Sequence, residues 1–206
     1  MTSITIVTPF QNHRELERNY FRAVFACDAE HLVVDDRSDP PLPNALRTTG
    51  GFAGACNVGL AAARTDAVLF LNNDIVAHAQ DWIEPIRALL EPGVLVGAEL
   101  RNDPHAAVDG QPMPYLDGWC LAGMTEDLRM LGGFDETFIE PSYYGDNDLC
   151  FRARLEGMTL REARVPLEHL RNRTTGGSVS PQVQAATIAN RAKFIERVRD
   201  ALGVAA

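Results

Sequence analysis

The stretch Ala67–Ile75, AVLFLNNDI, decides how the rest of this chain is read. Its unbroken apolar run, Ala67 to Leu71, is what a strand buried on both faces of a parallel sheet requires, because helices cover such a sheet on both sides. The run stops abruptly at two amides and an acid. Asn72, Asn73 and Asp74 therefore fall at the carboxyl end of a buried strand, where open α/β sheets bind their ligands. A carboxylate there can hold a hard divalent cation, and the cation a phosphate. A simple Asn/Asp turn has the same composition, because these side chains mimic backbone turns.

The flanking sequence supplies the partners of that strand. Ser3 to Thr8 is rich in β-branched residues and reads as a first buried strand closed by Pro9, which cannot donate to a sheet ladder. Arg14 to Phe25 has helical spacing, with Leu16, Tyr20 and Val24 on one stripe. His31 to Val34 is a second strand that ends in Asp35-Asp36, before a proline-rich turn segment. Leu46 to Thr49 reads as a short edge strand. Gly50, Gly51 and Gly54 then lead into a small-residue helix, Ala55 to Ala63. Glycines before such a helix permit close packing, or leave its first N–H groups open to an anion. Trp82 to Leu90 reads as a helix and Val94 to Leu100 as a strand. Alternating strands and helices of this kind predict an α/β, doubly wound, mostly parallel sheet.

Past residue 100 the texture changes. Arg101 to Tyr115 is polar, proline-punctuated and long enough for a lid or substrate loop. Asp117 to Leu121 reads as a short strand, Glu126 to Leu131 as one or two helical turns, Leu149 to Glu156 as a helix stopped by Gly157, and Thr159 to Val165 as a late strand. Val183 to Leu202 is a terminal amphipathic helix with Ile188, Ala192, Ile195 and Leu202 expected on its inner side. We expect one domain over 1–206, with a nucleotide-binding half (1–100), an acceptor and catalytic half (101–180) and the C-terminal helix.

Composition narrows the function classes. With 28 acidic against 19 basic residues the formal charge is -9, which argues against a broad electrostatic grip on nucleic acid or anionic membrane. Lys193 is the sole lysine, so the positive charge is almost all guanidinium. Cys27, Cys56, Cys120 and Cys150 are far apart and lack CxxC spacing, so buried free thiols are expected rather than a zinc or redox site. No apolar run approaches the roughly 20 residues that span a bilayer, and the amino terminus opens straight into a strand. A cytoplasmic protein without stable membrane insertion is the expectation.

Acidic clusters now stand at three element ends, Asp35-Asp36, Asp74, and Asp146 with Asp148, and His169 follows a late strand. Taken in order, ITIVTPF, VVDDRS, TGGFAGACNVGLAAA, VLFLNNDI, MLGGFDETF and YYGDNDLCFRARLEGM, followed by His169, resemble a family 2 glycosyltransferase of the GT-A fold. The rhamnosyltransferase-like members are nearest in texture. Similarity runs from about Thr5 to His169; the terminal helix and the Arg101 to Tyr115 loop fall outside it.

The resemblance implies an inverting, metal-dependent transfer of a sugar from a nucleoside-diphosphate sugar to an acceptor hydroxyl. Asp36 then takes the hydrogen bond of the nucleobase ring N–H, with Pro9 and Phe10 beside the base and Gly54 and Asn57 near the nucleotide. Asn72-Asn73-Asp74 stands for the family's DxD, with Asp74 as ligand to Mn²⁺ or Mg²⁺ and Asn72 in place of the first acid. Asp146 is the general base, Gly145 replaces the Glu that usually precedes it, and His169 completes metal or diphosphate binding, with Arg171 or Arg173 as further diphosphate contacts. Trp119 and Tyr143-Tyr144 could stack on a sugar face. The acceptor stays open among a glycan, a protein and a modified nucleic acid, as does the oligomeric state. Two other readings stand beside this one. A nucleotidyltransferase would share the sheet but call for a Gly-rich, Lys-bearing loop that is missing after the first strand. An inactive sugar- or nucleotide-binding module would account for Asn72 and Gly145.

Overall fold

The computed structural model describes residues 1–12, 17–102, 104, 107–140, 143–170 and 180–204, without the side chains of 17–19. Its centre is a seven-stranded sheet. Strands β1 (Ile4–Phe10), β2 (Glu30–Asp36), β3 (Leu46–Thr48), β4 (Ala67–Leu71), β6 (Val94–Gly97), β9 (Cys120–Met124) and β10 (Thr159–Glu162) lie in the order β10-β6-β9-β4-β1-β2-β3. All are parallel except β9, which runs antiparallel between β4 and β6.

The AVLFL run behaves as its composition requires. Every residue of β4 is buried. Ala67, Leu69 and Leu71 face a core layer with Ile4, Ile6, Trp82 and Ile86, while Val68 and Phe70 face the opposite layer with Val7, Leu60, Leu128 and Leu149. Helix α2 (Gly51–Ala62) covers the second face beside β1 and β2. Gly59 makes that approach possible, since a Cβ there would stand 3.0 Å from Val7 Cβ.

Several boundaries move, each for a physical reason. Strand β1 continues through Pro9 to Phe10, because its pairing with β4 stops at Val7 and the missing N–H of Pro9 lies beyond it. Helix α2 begins at Gly51 rather than Ala55, so the glycines form its first turn. Helix α3 is a single turn, Glu84–Arg87, flanked by looser turns, in place of the longer helix expected over Trp82 to Leu90. Leu100–Arg101 leaves the main sheet as β7 and pairs with β8 (Tyr115–Leu116). Helix α4 (Thr125–Met130) is short, and α5 begins at Gly145 (Gly145–Leu155), which puts Asp146 and Asp148 in its first turn rather than before it. Helix α1 is described from Glu17 to Val24; Arg14 and Leu16 lie outside the described residues.

The terminal helix α6 (Pro181–Leu202) corrects the sequence reading most clearly. Its inner face carries Val183, Ala186, Asn190, Phe194 and Val198, whereas Ile188 is 70% exposed and Leu202 52% exposed. The polar Asn190 in the middle of the buried stripe hid that stripe from the hydrophobic pattern. Val108 and Met113, within the segment expected to be a lid or substrate loop, pack with Phe138, Tyr144, Phe151 and α6, and no described residue of 101–115 lines the cleft. Cys56, Cys120 and Cys150 are buried free thiols and Cys27 is half-buried. Among the described residues no helix is long and apolar enough to cross a membrane.

Candidate active site

The carboxyl ends of β1, β2 and β4 open into two cavities that share Phe52, Asn72 and Glu140 as a common wall. The larger, about 410 Å³, is lined by Pro9, Phe10, Asp36, Arg37, Gly51 and Asn73 besides that wall. The smaller, about 200 Å³, is bounded by Asp117, Trp119, Tyr143, Gly145, Asp146 and His169. Of the sequence-derived residues, Pro9, Phe10, Asp36, Asn72 and Asn73 thus fall at the larger cavity and Asp146 and His169 at the smaller, while Asp74, Gly54 and Asn57 line neither.

At the larger cavity, Asp36 ends β2 with its carboxylate held bidentately by Arg37, Nε to Oδ1 and Nη2 to Oδ2, both 2.9 Å. Oδ1 also accepts from Gly51 N–H at 3.4 Å. A carboxylate offers about four lone pairs, so the remaining acceptor capacity lies on Oδ2. Arg37 takes a left-handed backbone, φ 59°, which turns its side chain back over Asp36. Asp35 serves the fold, accepting from Ser38 N–H at 3.0 Å and Leu42 N–H at 2.8 Å to organise the proline turn.

Gly54 and Asn57 line neither cavity. Gly54 packs on β3, where a Cβ would meet Thr48 Oγ1 at 3.2 Å. Asn57 clamps the loop after α4: its Nδ2 donates to Phe134 O and Glu136 Oε1, both at 2.8 Å, and its Oδ1 accepts from Phe134 N–H at 2.9 Å. Of Gly50, Gly51 and Gly54, the one that lines the cleft is Gly51. Nor is the start of α2 open to an anion, because Glu140 Oε1 accepts from Ala53 N–H at 3.2 Å. Here the protein supplies its own anion to a helix N-terminus.

Asp74 and His169 meet through a small antiparallel pair. Strand β5 (Ile75–Ala77) follows Asp74 directly and pairs with β11 (Leu167–His169), with His169 opposite Ile75. Leu170 N–H donates to Asp74 O at 2.8 Å and locks the crossing. The result places His169 Nε2 3.1 Å from Asp74 Oδ1. The two atoms are close yet not aligned as donor and acceptor, so buried Asp74 Oδ1 is left without a hydrogen bond, as is His169 Nδ1. Bonds of about 2.1 Å meeting at a right angle on one divalent ion put their donor atoms about 3 Å apart, so this oxygen and nitrogen suit two ligands of one cation. Among the described residues no cluster of three or more metal-binding side chains exists, so a cation held by this pair would need further ligands from elsewhere. Trp119 stacks on the His169 ring, centroids 4.9 Å apart and planes 15° from parallel, and fixes its orientation. Arg171 and Arg173 lie outside the described residues.

Asp146 stands on the wall of the smaller cavity. Its Oδ2 accepts from Gly118 N–H at 3.0 Å and its Oδ1 from Asn147 N–H at 2.9 Å. Loss of hydration, and secondly the charge of Asp117, push its pKa up to about 6 despite these bonds. Asp148, two residues on, is fully buried against Arg152 and Arg197 and belongs to the scaffold. Of the adjacent tyrosines, Tyr143 is exposed and faces the cavity, while Tyr144 turns inward onto Phe194. Sequence reasoning missed Asp117, Arg37 and Glu140. Asp117 had only the signal of an acid at a strand start, and Glu140 sits in an aperiodic loop.

A sheet parallel but for one inner antiparallel strand, with a cleft at the carboxyl ends and an Asp at the end of its central strand, is the fold of the GT-A glycosyltransferases. Mannosyltransferase PcManGT from Pyrobaculum calidifontis, in complex with GDP-Man and Mn²⁺, matches 98% of this chain and 74% of its own at TM-score 0.63 and 16% identity. A Drosophila β-1,4-galactosyltransferase 7 variant in complex with manganese, UDP-Gal and xylobiose matches 90% of this chain and 79% of its own at TM-score 0.57 and 14% identity. In sequence, the pre-mycofactocin glycosyltransferase of Mycobacterium tuberculosis is 30% identical over 86% of this chain and 47% of its own length, in each of two strains. The chain spans about half the length of these curated relatives. No family model matches it. Fold and sequence likeness both agree with the resemblance to family 2 GT-A glycosyltransferases.

Proposed function

We propose that this chain is an inverting, metal-dependent glycosyltransferase that moves a sugar from a nucleoside-diphosphate sugar to an acceptor hydroxyl. The observation that carries this reading is one cavity wall bearing both a half-buried carboxylate, Asp146, and His169, the partner of Asp74 at the end of β4. The nucleotide-sugars and manganese of the two solved glycosyltransferases support it. So does the sequence likeness to a curated glycosyltransferase.

In this reading the donor nucleotide occupies the larger cavity, its base against Pro9 and Phe10 with the ring N–H on Asp36. The sugar points past Asn72 and Glu140 towards the smaller cavity, where the acceptor binds. Asp146 takes the acceptor proton as the new C–O bond forms on the face opposite the leaving group, and the bond from the anomeric carbon to the diphosphate oxygen breaks. The backbone donors from Gly118 and Asn147 hold that carboxylate in place, so it meets the hydroxyl without reorganisation. Mn²⁺ or Mg²⁺ held by Asp74 and His169 supplies charge stabilisation to the departing diphosphate.

Two variants test the assignment against donor-dependent transfer. Asp146→Asn should lower kcat by about a hundred-fold or more while leaving nucleotide binding nearly intact. Asp74→Ala should lose the Mn²⁺-dependent part of donor binding in calorimetry. Full turnover in both variants refutes the proposal.

A further inference from the structure

The replacement of the usual Glu by Gly145 leaves a gap beside the base. A Cβ at Gly145 would meet only Phe134 Cδ1, at 3.7 Å, so the space is open. A second carboxylate nevertheless reaches the same cavity from another element. Asp117 precedes Gly118, whose N–H holds Asp146, and both acids line the cavity. Arg101 anchors Asp117 from behind, with Nε 3.1 Å from Oδ2, while the same guanidinium also binds Glu99. Both contacts of Arg101 fall on Asp117 Oδ2, and the side chain keeps 27% of its exposure.

Resting on the proposed function, we infer that Asp117 is the second carboxylate of the acceptor site, which accepts a hydrogen bond from the hydroxyl neighbouring the one that Asp146 deprotonates, and that the acceptor is therefore an uncharged vicinal diol of the sugar or polyol class. Two anchored carboxylates on one cavity lining, the second held by the N–H of the glycine that follows the first, suit two adjacent hydroxyls, since each ionised carboxylate only accepts. The remaining ionisable groups of the cavity are Asp135, Glu140, Tyr143 and His169. Asp135 is paired with Lys193 and Arg197, and Asp148, Arg152 and Cys150 lie behind Asp146 on its own helix. An anionic acceptor would meet this ring of carboxylates and be repelled. A volume of about 200 Å³ admits one ring rather than an extended chain. The charge of Asp117 also adds, after burial, to the upward shift of the Asp146 carboxyl.

The test reads the Asp146 carboxylate by NMR titration of the aspartate-labelled chain, which needs no turnover, alongside transfer to a panel of methyl glycosides and their single-deoxy counterparts. Asp117→Asn should lower the Asp146 midpoint by about one unit, and Arg101→Gln, which leaves Asp117 charged without its counter-ion, should raise it. Loosening of the turn by either variant would instead move both midpoints the same way. The natural chain should prefer a glycoside over the analogue lacking the neighbouring hydroxyl by roughly ten- to a hundred-fold, and Asp117→Asn should erase most of that preference. Shifts of equal sign in the two variants, or equal transfer to glycoside and deoxy analogue, overturn the inference. Opposite shifts in a chain that transfers no sugar uphold the carboxylate pair and refute the proposed function instead.

Discussion

Asn190 offers the sharpest test of how α6 supports the site. The residue is 2% exposed, and its amide spans a loop in both directions. Oδ1 accepts from Ile139 N–H at 2.9 Å, and Nδ2 donates to Ile139 O at 3.0 Å and Tyr143 O at 3.1 Å. Glu140 and Tyr143, which line the cleft, stand within this strapped segment. Asn190→Ala removes three hydrogen bonds, each worth about 1 kcal/mol net, and strands two backbone groups of Ile139 in a half-buried setting, for a loss of about 3 kcal/mol. In a chain of this length 1 kcal/mol lowers the melting temperature by about 2–4 °C, so a fall of about 6–12 °C is expected. Scanning calorimetry reads the stability. Initial-rate kinetics should show the acceptor KM rising more than the donor KM, because the strapped segment lines the smaller cavity more fully than the larger. A melting temperature within about 2 °C of the natural chain, or a donor KM that rises more than the acceptor KM, refutes the strap.

Three further outcomes follow from the structure. Because burial first, and the charge of Asp117 second, raise the Asp146 pKa from an ordinary 3.8 to about 6, kcat/KM should be level above pH 7 and fall about tenfold per unit below 6. The unfolded chain gives up this proton at lower pH than the folded one, so the group favours unfolding progressively as pH rises from about 4 to 6; Asp146→Asn should melt higher than the natural chain at pH 7 and level with it near pH 3. At the α2–β1 contact, Gly59→Ala would press a methyl onto Val7 and cost about 1–3 kcal/mol by denaturant unfolding, part of which Val7→Ala in the same chain should restore.

The parts of the fold legible in the sequence are those with a single dominant signal. The apolar run of β4 and the acid that ends it were readable because double-sided burial and a sudden polar stop admit few local structures. The antiparallel course of β9 was not readable, since its direction is fixed by partners β4 and β6, which are remote in sequence. Asn57 shows why residue type alone misassigns a site. An amide inside a small-residue helix suits a ligand or a backbone clamp equally, and only the position of Phe134 decides between them. Asp146 and Asp148 were indistinguishable as letters; the first turn of α5 sends one to the cavity and the other to Arg152 and Arg197.

The β5–β11 pair carries a consequence for how the site comes into being. Asp74 follows the central strand, in the first half of the chain, whereas His169 comes from its last quarter. The segments that join them are only three residues each. Contacts between segments so distant in sequence carry a large loop-closure cost, and three-residue strands return little energy for it. The sheet can therefore assemble while this clasp is still open. Completion of the Asp74–His169 pair is then a late event of folding, and the easiest part of the cleft to undo.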